Sequence, residues 1–200
     1  MKKLAGTTQV TKQKSGSGQV RIIGGQWRSR KLPIHDLEGL RPTTDRVRET
    51  LFNWLAAYLP GARVLDCFAG SGALSLEALS RYAAYAKVFE LQASAAKQLQ
   101  SNLQTLKCTQ ADVINGDTLH LLKQDCLEGF DIVFIDPPFR KGLAPQCIEL
   151  LMQHQWLNDG ALIYLEVESE LNDLPLPPSW TGLKEKKAGQ VSYRLYQYQA

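Results

Sequence analysis

The chain has 200 residues, of which 44% are apolar and 22% are charged. These values are typical of a globular domain with a substantial core, and they exclude a mostly disordered chain. The four cysteines form no Cys-x-x-Cys pair, so neither a zinc site nor a disulfide framework is indicated. No apolar stretch approaches the roughly 20 residues of a membrane-spanning helix, and we expect a cytoplasmic protein without a metal cofactor.

Basic residues are concentrated at the start of the chain. Residues 1–48 contain 11 Lys or Arg and 3 Asp or Glu, a local charge of +8. The other residues contain 12 Lys or Arg and 17 Asp or Glu, a local charge of −5. A basic segment on a mildly acidic body indicates a polyanionic partner such as nucleic acid, although a solubilising tail would have the same composition.

The first 40 residues divide into two predicted segments. Residues 1–18 are polar, basic and small, which predicts a flexible tail. Residues 19–40 contain a strand-like run at 19–23, a Gly24-Gly25 turn and a second extended run at 26–34. This pattern predicts a small basic β-hairpin, whose candidate phosphate contacts are Arg21, Arg28, Arg30 and Lys31.

Residues 41–200 are predicted to form one α/β domain. A first helix begins at Thr43 or Thr44 and ends at Pro60-Gly61. Strand-like runs and helical stretches then alternate, which predicts a parallel sheet with helices on both faces. The predicted strands are 63–67, 86–89, 112–114, 132–135 and 161–167, and the predicted helices are 73–81, 93–106, 118–123 and 143–153. Two final extended segments, 183–187 and 191–198, predict an antiparallel hairpin.

The segment 64–72 runs from a buried strand into a helix and has the features of a cofactor-binding loop. Its last four residues, Ala-Gly-Ser-Gly, are small enough for a ligand to approach the backbone closely. A dinucleotide site would instead have G-x-G-x-x-G to seat a pyrophosphate. Asp66 at the strand end would repel a phosphate and attract an ammonium group. The loop therefore favours S-adenosylmethionine over a nicotinamide dinucleotide, and a nicotinamide-dependent oxidoreductase is the weaker alternative.

Two further acidic residues follow the next predicted strands. Glu90 lies 24 residues beyond Asp66, the spacing of the acidic ribose ligand in nucleoside-binding α/β folds. Asp117 could accept a hydrogen bond from an adenine amino group. The structural alternatives are a solvated surface acid for Glu90 and a helix N-cap for Asp117.

The tetrapeptide Asp136-Pro137-Pro138-Phe139 follows the fourth strand and predicts the chemistry. Two prolines remove two N–H groups and stiffen the turn, so its carbonyls can point into a pocket. Together with the Asp136 carboxylate they could accept both protons of an exocyclic amino group on a base, while Phe139 offers a ring for stacking. Such a turn favours methyl transfer to the amine of a flipped or unstacked base. A rigid turn without a catalytic role is the structural alternative.

These motifs, with Asn115-Gly116-Asp117 between them, resemble the ordered motifs of class I methyltransferases that act on amino groups. The segments G-G-Q-W-R-S-R-K-L-P at 24–33 and R-P-T-T-D-R-V-R-E-T-L-F-N-W-L at 41–55 resemble the RsmD family, bacterial 16S ribosomal RNA guanine-N2 methyltransferases. The resemblance covers roughly residues 20–198. It implies a seven-stranded Rossmann-like fold and methylation of the guanine conventionally numbered 966, on small-subunit material or an assembly intermediate.

The resemblance also implies roles for individual residues. The implied cofactor ligands are Asp66, Phe68, Ala69, Gly70, Gly72, Glu90, Leu91, Asp117 and Thr118, with Arg41 and Thr43 near the methionine carboxylate. Asp136, Pro137 and Phe139 would face the base, and Arg46 and Arg140 would join the basic hairpin in contacting RNA.

Two other functions remain open. An adenine-N6 DNA methyltransferase would use the same turn, because the turn suits either amino group. A non-catalytic RNA-binding or ribosome-assembly module would use only the basic segment. In each case a monomer is the expectation.

Overall fold

The computed structural model describes residues 18–34, 44–171 and 174–200. Its main element is a seven-stranded sheet in the order β5-β4-β3-β6-β7-β9-β8. These strands are β3 (Arg63–Asp66), β4 (Tyr85–Glu90), β5 (Ala111–Asn115), β6 (Phe130–Ile135), β7 (Leu157–Glu168), β8 (Trp180–Ala188) and β9 (Val191–Tyr198). The first five are parallel, and β9 pairs antiparallel with both β7 and β8. The predicted sheet and its closing hairpin are confirmed.

The helices cover both faces of this sheet. They are α1 (Asp45–Trp54), α2 (Ala73–Ser80), α3 (Ala93–Leu106), α4 (Thr118–Leu121) and α5 (Leu143–Gln153). One core cluster joins α1, α2 and α3 to one face through residues such as Phe52, Leu76 and Leu99. The other joins α5 to the opposite face and contains Ile148 and Val133. We call the α1 side the front face and the α5 side the back face.

The N-terminal strands β1 (Gln19–Arg21) and β2 (Lys31–Pro33) form the predicted antiparallel hairpin. The prediction of an extended run over 26–34 is wrong in its first half. Gly25–Trp27 forms a turn of 3-10 helix, and only Lys31–Pro33 is a strand. The chain turns there because it packs on the end of α2, where the Trp27 N–H donates to the Ser80 hydroxyl at 3.0 Å. Val20 and Leu32 of the hairpin enter the front-face core, so the hairpin is docked on the domain.

Helix α1 starts as predicted and ends earlier. Thr44 caps it, since its side chain accepts from the Val47 N–H at 3.4 Å. The helix ends at Trp54, and Leu55 to Leu59 continue as a tight turn. Within the described ranges, no helix is long and apolar enough to cross a membrane.

Candidate functional site

The site lies where the chain reverses its direction of travel across the sheet. From β3 it proceeds to β4 and β5 on one side, then returns to place β6 on the other side of β3. In open α/β sheets such a switch point opens a crevice at the carboxyl ends of the strands, where ligands bind. The register places Asp66 of β3 beside Phe134 of β6, and the Cys67 N–H donates to the Phe134 carbonyl at 3.0 Å. Asp136 follows two residues later, so the two predicted loops are neighbours.

The loop after β3 is held in place by hydrogen bonds to the neighbouring strand. The Ala69 N–H donates to the Phe89 carbonyl at 3.0 Å, and the Gly70 N–H donates to the Glu90 carboxylate at 2.7 Å. Gly70 and Gly72 have φ values of +53° and +73°, a left-handed conformation that suits glycine. Half-buried Phe68 and Ala69 complete the loop. Backbone groups of this loop are therefore fixed at the crevice before any ligand arrives.

Glu90 is buried and accepts backbone hydrogen bonds with both carboxylate oxygens. One comes from Gly70 and the other from Gln92, each at 2.7 Å. Burial raises the pKa of Glu90, and the two backbone bonds oppose that rise. A carboxylate has about four lone-pair sites, so Glu90 retains acceptor capacity for a ligand hydroxyl. The next residue, Leu91, is 66% exposed and presents an apolar surface beside the carboxylate.

Asp66 presents a buried carboxylate oxygen at the tip of β3. The side chain is 2% exposed, and its Oδ2 has no hydrogen-bond partner among the residues that the structure describes. Burial raises the pKa of Asp66 to about 7; hydrogen bonds from Ser75 oppose the rise and the nearby charge of Glu90 adds to it. A buried polar atom without a partner is unfavourable by roughly 1–3 kcal/mol. A ligand that donates a hydrogen bond here would remove that penalty.

Thr118 connects α4 to this loop, and Asp117 caps the same helix. Asp117 caps the helix, since its side chain accepts from the His120 N–H at 2.9 Å. The Thr118 hydroxyl donates to the Cys67 carbonyl, directly under the loop. The capping alternative for Asp117 is therefore present in the structure, and a cofactor contact would be an additional role.

The acidic turn after β6 is partly buried at the other side of the crevice. Pro137 is buried, while Asp136 and Phe139 are half-buried. The turn ends at Arg140, which has φ +60° and donates its backbone N–H to the Glu168 carboxylate. This contact fixes the turn against the end of β7.

Two buried polar side chains of β7 lie behind the turn. The Tyr164 hydroxyl donates to the Glu166 carboxylate at 2.5 Å. Burial raises the pKa of Tyr164 well above its ordinary value, and the charges of Glu166 and Asp136 add to the rise. Tyr164 therefore stays a neutral donor. A tyrosine and a glutamate within a strand form no recognisable pattern, so these two residues could not be predicted from the sequence.

The basic candidates are distributed around the hairpin and the turn. Arg28, Arg30, Lys31, Arg46 and Arg140 are all exposed. Arg21 forms an ion pair with Asp45 at 2.6 Å, so part of its charge is already neutralised within the protein. Arg41 and Thr43 lie outside the described residues.

Sequence reasoning missed the contact that docks the hairpin. Glu77 is fully buried and accepts from the N–H groups of Ile23 at 2.7 Å and Gly24 at 2.8 Å. Arg81 pairs with it at 2.7 Å. The Ser80 hydroxyl donates to the Gly24 carbonyl at 2.6 Å. The one hint in the sequence is a glutamate in the middle of the helix A-L-S-L-E-A-L-S, whose other residues are Ala, Leu and Ser.

Replacing Gly72 by alanine should disrupt the loop. A Cβ there would lie 2.1 Å from Leu99 Cδ2, and the φ of +73° adds strain of about 1–3 kcal/mol for a non-glycine residue. We expect a lower melting temperature and at least a tenfold loss of cofactor affinity, measured by thermal denaturation and calorimetry. Gly142→Ala is the control, since Gly142 has φ +62° and a Cβ added to it would meet no atom within 4 Å. Equal cofactor affinity in both variants would contradict the role of Gly72.

Comparison with known proteins agrees with this geometry. The family model described as "Conserved hypothetical protein 95" matches residues 20–197. A protein of Escherichia coli K12 named Ribosomal RNA small subunit methyltransferase D is 59% identical over 93% of each chain. Its counterpart in Haemophilus influenzae is 55% identical over 92% of this chain and 96% of its own length.

The chain belongs to the RsmD family. Membership confirms the resemblance carried by residues 24–33 and 41–55. A solved structure from Escherichia coli, described as a methyltransferase, has a TM-score of 0.87 at 55% identity and covers 92% of this chain and 99% of its own. A methylase structure from Haemophilus influenzae has a TM-score of 0.79 at 52% identity, with 92% of this chain and all of that one covered. These two structures also confirm the predicted fold class.

Proposed function

We propose that this protein transfers a methyl group from S-adenosylmethionine to the exocyclic N2 amine of a guanine in 16S ribosomal RNA. By family resemblance the target is the guanine numbered 966 in the small ribosomal subunit or an assembly intermediate. The single observation that carries the proposal is that Asp66, whose buried Oδ2 is bonded by no described residue, and the Asp136-Pro137-Pro138-Phe139 turn lie at one switch point. The names of the Escherichia coli and Haemophilus influenzae relatives support ribosomal RNA as the substrate class.

The residues around the crevice fit this cofactor. When bound, S-adenosylmethionine would supply a methyl group activated by a sulfonium, and the product would be S-adenosylhomocysteine. Asp66 Oδ2 would accept from its ammonium group, and Glu90 from its ribose hydroxyls. Backbone groups at Gly70 and Gly72 would line the methionine portion. The remaining candidates, for the adenine ring and the carboxylate, are Phe68, Ala69, Leu91, Asp117, Thr118, Arg41 and Thr43.

The acidic turn would hold the target amine. The Asp136 carboxylate and the Pro137 carbonyl can accept its two N–H bonds, which aims the nitrogen lone pair away from the conjugated ring. As positive charge develops on nitrogen, the carboxylate stabilises it. Phe139 can stack on the flipped base, which is worth roughly 1–3 kcal/mol against the unstacking cost of a few kcal/mol.

Guanine N2 and adenine N6 are both planar exocyclic amines, so the turn alone does not choose between them. Membership of the RsmD family favours guanine in RNA over adenine in DNA. A tritium-transfer assay with small subunits, free 16S RNA and duplex DNA tests the choice. We expect incorporation into small-subunit RNA, and incorporation confined to DNA adenine would overturn the proposal.

Cofactor binding should strengthen as pH rises through neutrality. The pKa of Asp66 in the free protein is about 7, so its carboxyl is mostly protonated at pH 6 and mostly ionised at pH 8. The ionised form attracts an ammonium group, so affinity should increase by up to about tenfold across this window. Calorimetric titration at both pH values measures it. Asp66→Asn should remove the dependence; an equally steep profile in that variant would contradict the assignment.

The raised pKa of Asp66 also predicts that the stability of the ligand-free protein decreases as pH rises, whereas cofactor affinity increases. The folded pKa of Asp66 lies above its unfolded value of about 3.8, so this group stabilises the fold most at low pH. That contribution falls as pH rises toward 7. The ligand would reverse this loss by pairing with the ionised form.

The hairpin should contribute to RNA affinity. Arg28 and Arg30 are exposed on a hairpin that Glu77 and Ser80 fix to the domain. In the double variant Arg28→Gln, Arg30→Gln we expect weaker RNA binding and a salt slope reduced by roughly 0.7 per lost contact to single-stranded RNA. Filter binding at several salt concentrations measures both. Cofactor affinity should be unchanged, and equal RNA affinity would refute the contribution.

The remaining parts of the proposal concern organisation and setting. We infer a cytoplasmic monomer, with residues 1–18 as a tail, 19–40 as a hairpin extension and 41–200 as the methyltransferase domain. Within the described ranges, no group of three or more His, Cys, Asp or Glu side chains is placed to hold a metal ion. The absence of a metal cofactor stays a prediction.

A further inference from the structure

Two lysines of β8 lie on the front face in line with the acidic turn. The register pairs Glu166 of β7 with Tyr193 of β9, and Tyr193 with Lys186 of β8. Asp136 extends β6 one residue past the pair Ile135–Leu165, which places it beside Glu166. One transverse row of the sheet therefore runs from Asp136 to Lys186. Lys184, which pairs with Leu195, is two residues away on the same face.

The positive charge of these lysines is directed to solvent. Lys184 and Lys186 are both exposed. The acidic residue between them, Glu185, points to the back face, where it binds Arg194 at 3.1 Å and Ser192 at 3.2 Å. Lys187 also points to the back face. The strand thus separates two front-face lysines from the carboxylate that would otherwise neutralise them.

An aromatic pair positions Lys186 at this surface. The Lys186 ammonium lies 5.9 Å from the ring centroid of half-buried Trp54. Trp54 stacks on Tyr193 with ring centroids 5.6 Å apart. A cation held over an indole ring keeps part of its orientation without an acidic partner, so its charge remains available to an anion.

Lysines on an edge strand also have a general protective role, because they discourage pairing with other sheets. That role needs charge on the strand and does not depend on the face. It predicts that replacing Lys186 and replacing Lys187 change RNA binding equally. A role in binding at the active-site side predicts an effect for Lys184 and Lys186 alone, so the two explanations can be separated by experiment.

We propose that Lys184 and Lys186 bind phosphates of the RNA strand that flanks the target nucleotide. This inference rests on the proposed function, since it assigns a second contact surface to the same substrate. Three strand spacings separate Asp136 from Lys186, a distance of about 14 Å. At about 3.4 Å per nucleotide, that distance spans roughly four nucleotides of stacked strand. The surface lies across the sheet from the switch point and adds to the contacts of the hairpin.

The test compares the double variant Lys184→Gln, Lys186→Gln with Lys187→Gln and with Lys186→Arg. Filter binding of small-subunit RNA is measured against salt, and KM and kcat for transfer are measured separately. We expect the double variant to bind RNA several-fold more weakly, with a salt slope lower by about 1.4, the value for two single-strand contacts. KM for RNA should rise while kcat and cofactor affinity stay near wild type. Lys187→Gln and Lys186→Arg should resemble wild type.

The outcomes separate this inference from the proposed function. If the wild-type protein methylates RNA and the double variant binds it with equal affinity and salt slope, the lysine surface is refuted and the proposed function stands. The lysine surface is also refuted, and the proposed function stands, if Lys187→Gln binds RNA as weakly as the double variant. If the wild-type protein binds RNA without methylating it, the proposed function fails, and the binding comparison still decides the role of the lysines. No RNA binding by the wild type refutes both.

Discussion

Replacing Asp136 by alanine should reduce methyl transfer to small-subunit RNA by a factor of about 100–1000, the effect of losing one preorganised electrostatic group at a reacting centre. The carboxylate would both orient the amine and stabilise its developing charge. Its position after β6, next to the loop that follows β3, allows both roles. Cofactor affinity should be nearly unchanged, because Asp66 and Glu90 lie on the other side of the crevice. Single-turnover transfer and calorimetric titration measure the two quantities.

Asp131 provides a matched control at the opposite end of the same strand. Its carboxylate accepts from the Arg63 N–H at 2.8 Å and from the Asn158 side chain at 2.7 Å. Asp131→Ala should lower stability by about 1–3 kcal/mol, because two partly buried donors lose their acceptor, and it should leave transfer close to wild type well below the melting temperature. Transfer at the wild-type rate in Asp136→Ala would remove this carboxylate from the mechanism.

Replacing Glu77 by alanine should produce the largest loss of stability, about 3–5 kcal/mol, because it removes the fully buried partner of an ion pair and the acceptor of two backbone hydrogen bonds. Glu77 is fully buried, and three donors from Ile23, Gly24 and Arg81 depend on it. The hairpin should also detach, so RNA affinity should fall even where the domain remains folded. Denaturant unfolding and hydrogen exchange of the hairpin amides measure the two effects.

Glu128 gives the control for Glu77. It also pairs with an arginine, Arg63, at 3.1 Å, but its side chain is 74% exposed. Exposed pairs of this kind contribute little to stability. Glu128→Ala should therefore leave both stability and hairpin protection near wild type. A similar small effect of Glu77→Ala would show that the hairpin is not held by this carboxylate.

The sheet and the two loops could be predicted from the sequence because the residues that determine them are close together in the chain. The apolar runs of β3 and β6 are bounded by Gly, Pro and Asp, which mark the strand ends. The alternation of strands and helices then places the carboxyl ends of β3 and β6 at a shared edge. Gly70 and Asp136 could thus be assigned to one crevice from the order of residues alone.

The remaining features depend on contacts between distant parts of the chain. The bend at Gly25–Trp27 arises because Glu77 and Ser80, more than 50 residues away, accept hydrogen bonds from the backbone N–H groups of Ile23 and Trp27. The burial of the Asp66 oxygen that no described residue bonds, and the Tyr164–Glu166 hydrogen bond, are likewise products of packing. A propensity for strand at residues 26–30 was overridden by this docking, and no local pattern records such a contact.

Nucleoside mass analysis tests the central claim most directly. Small subunits from cells that lack this protein would be incubated with the purified protein and S-adenosylmethionine, and their RNA digested and analysed. We predict one new N2-methylguanosine, in a fragment that contains guanine 966, which appears with wild type and not with Asp136→Ala. Methylation of adenine instead, or no new modified nucleoside with the folded wild-type protein, would contradict the account.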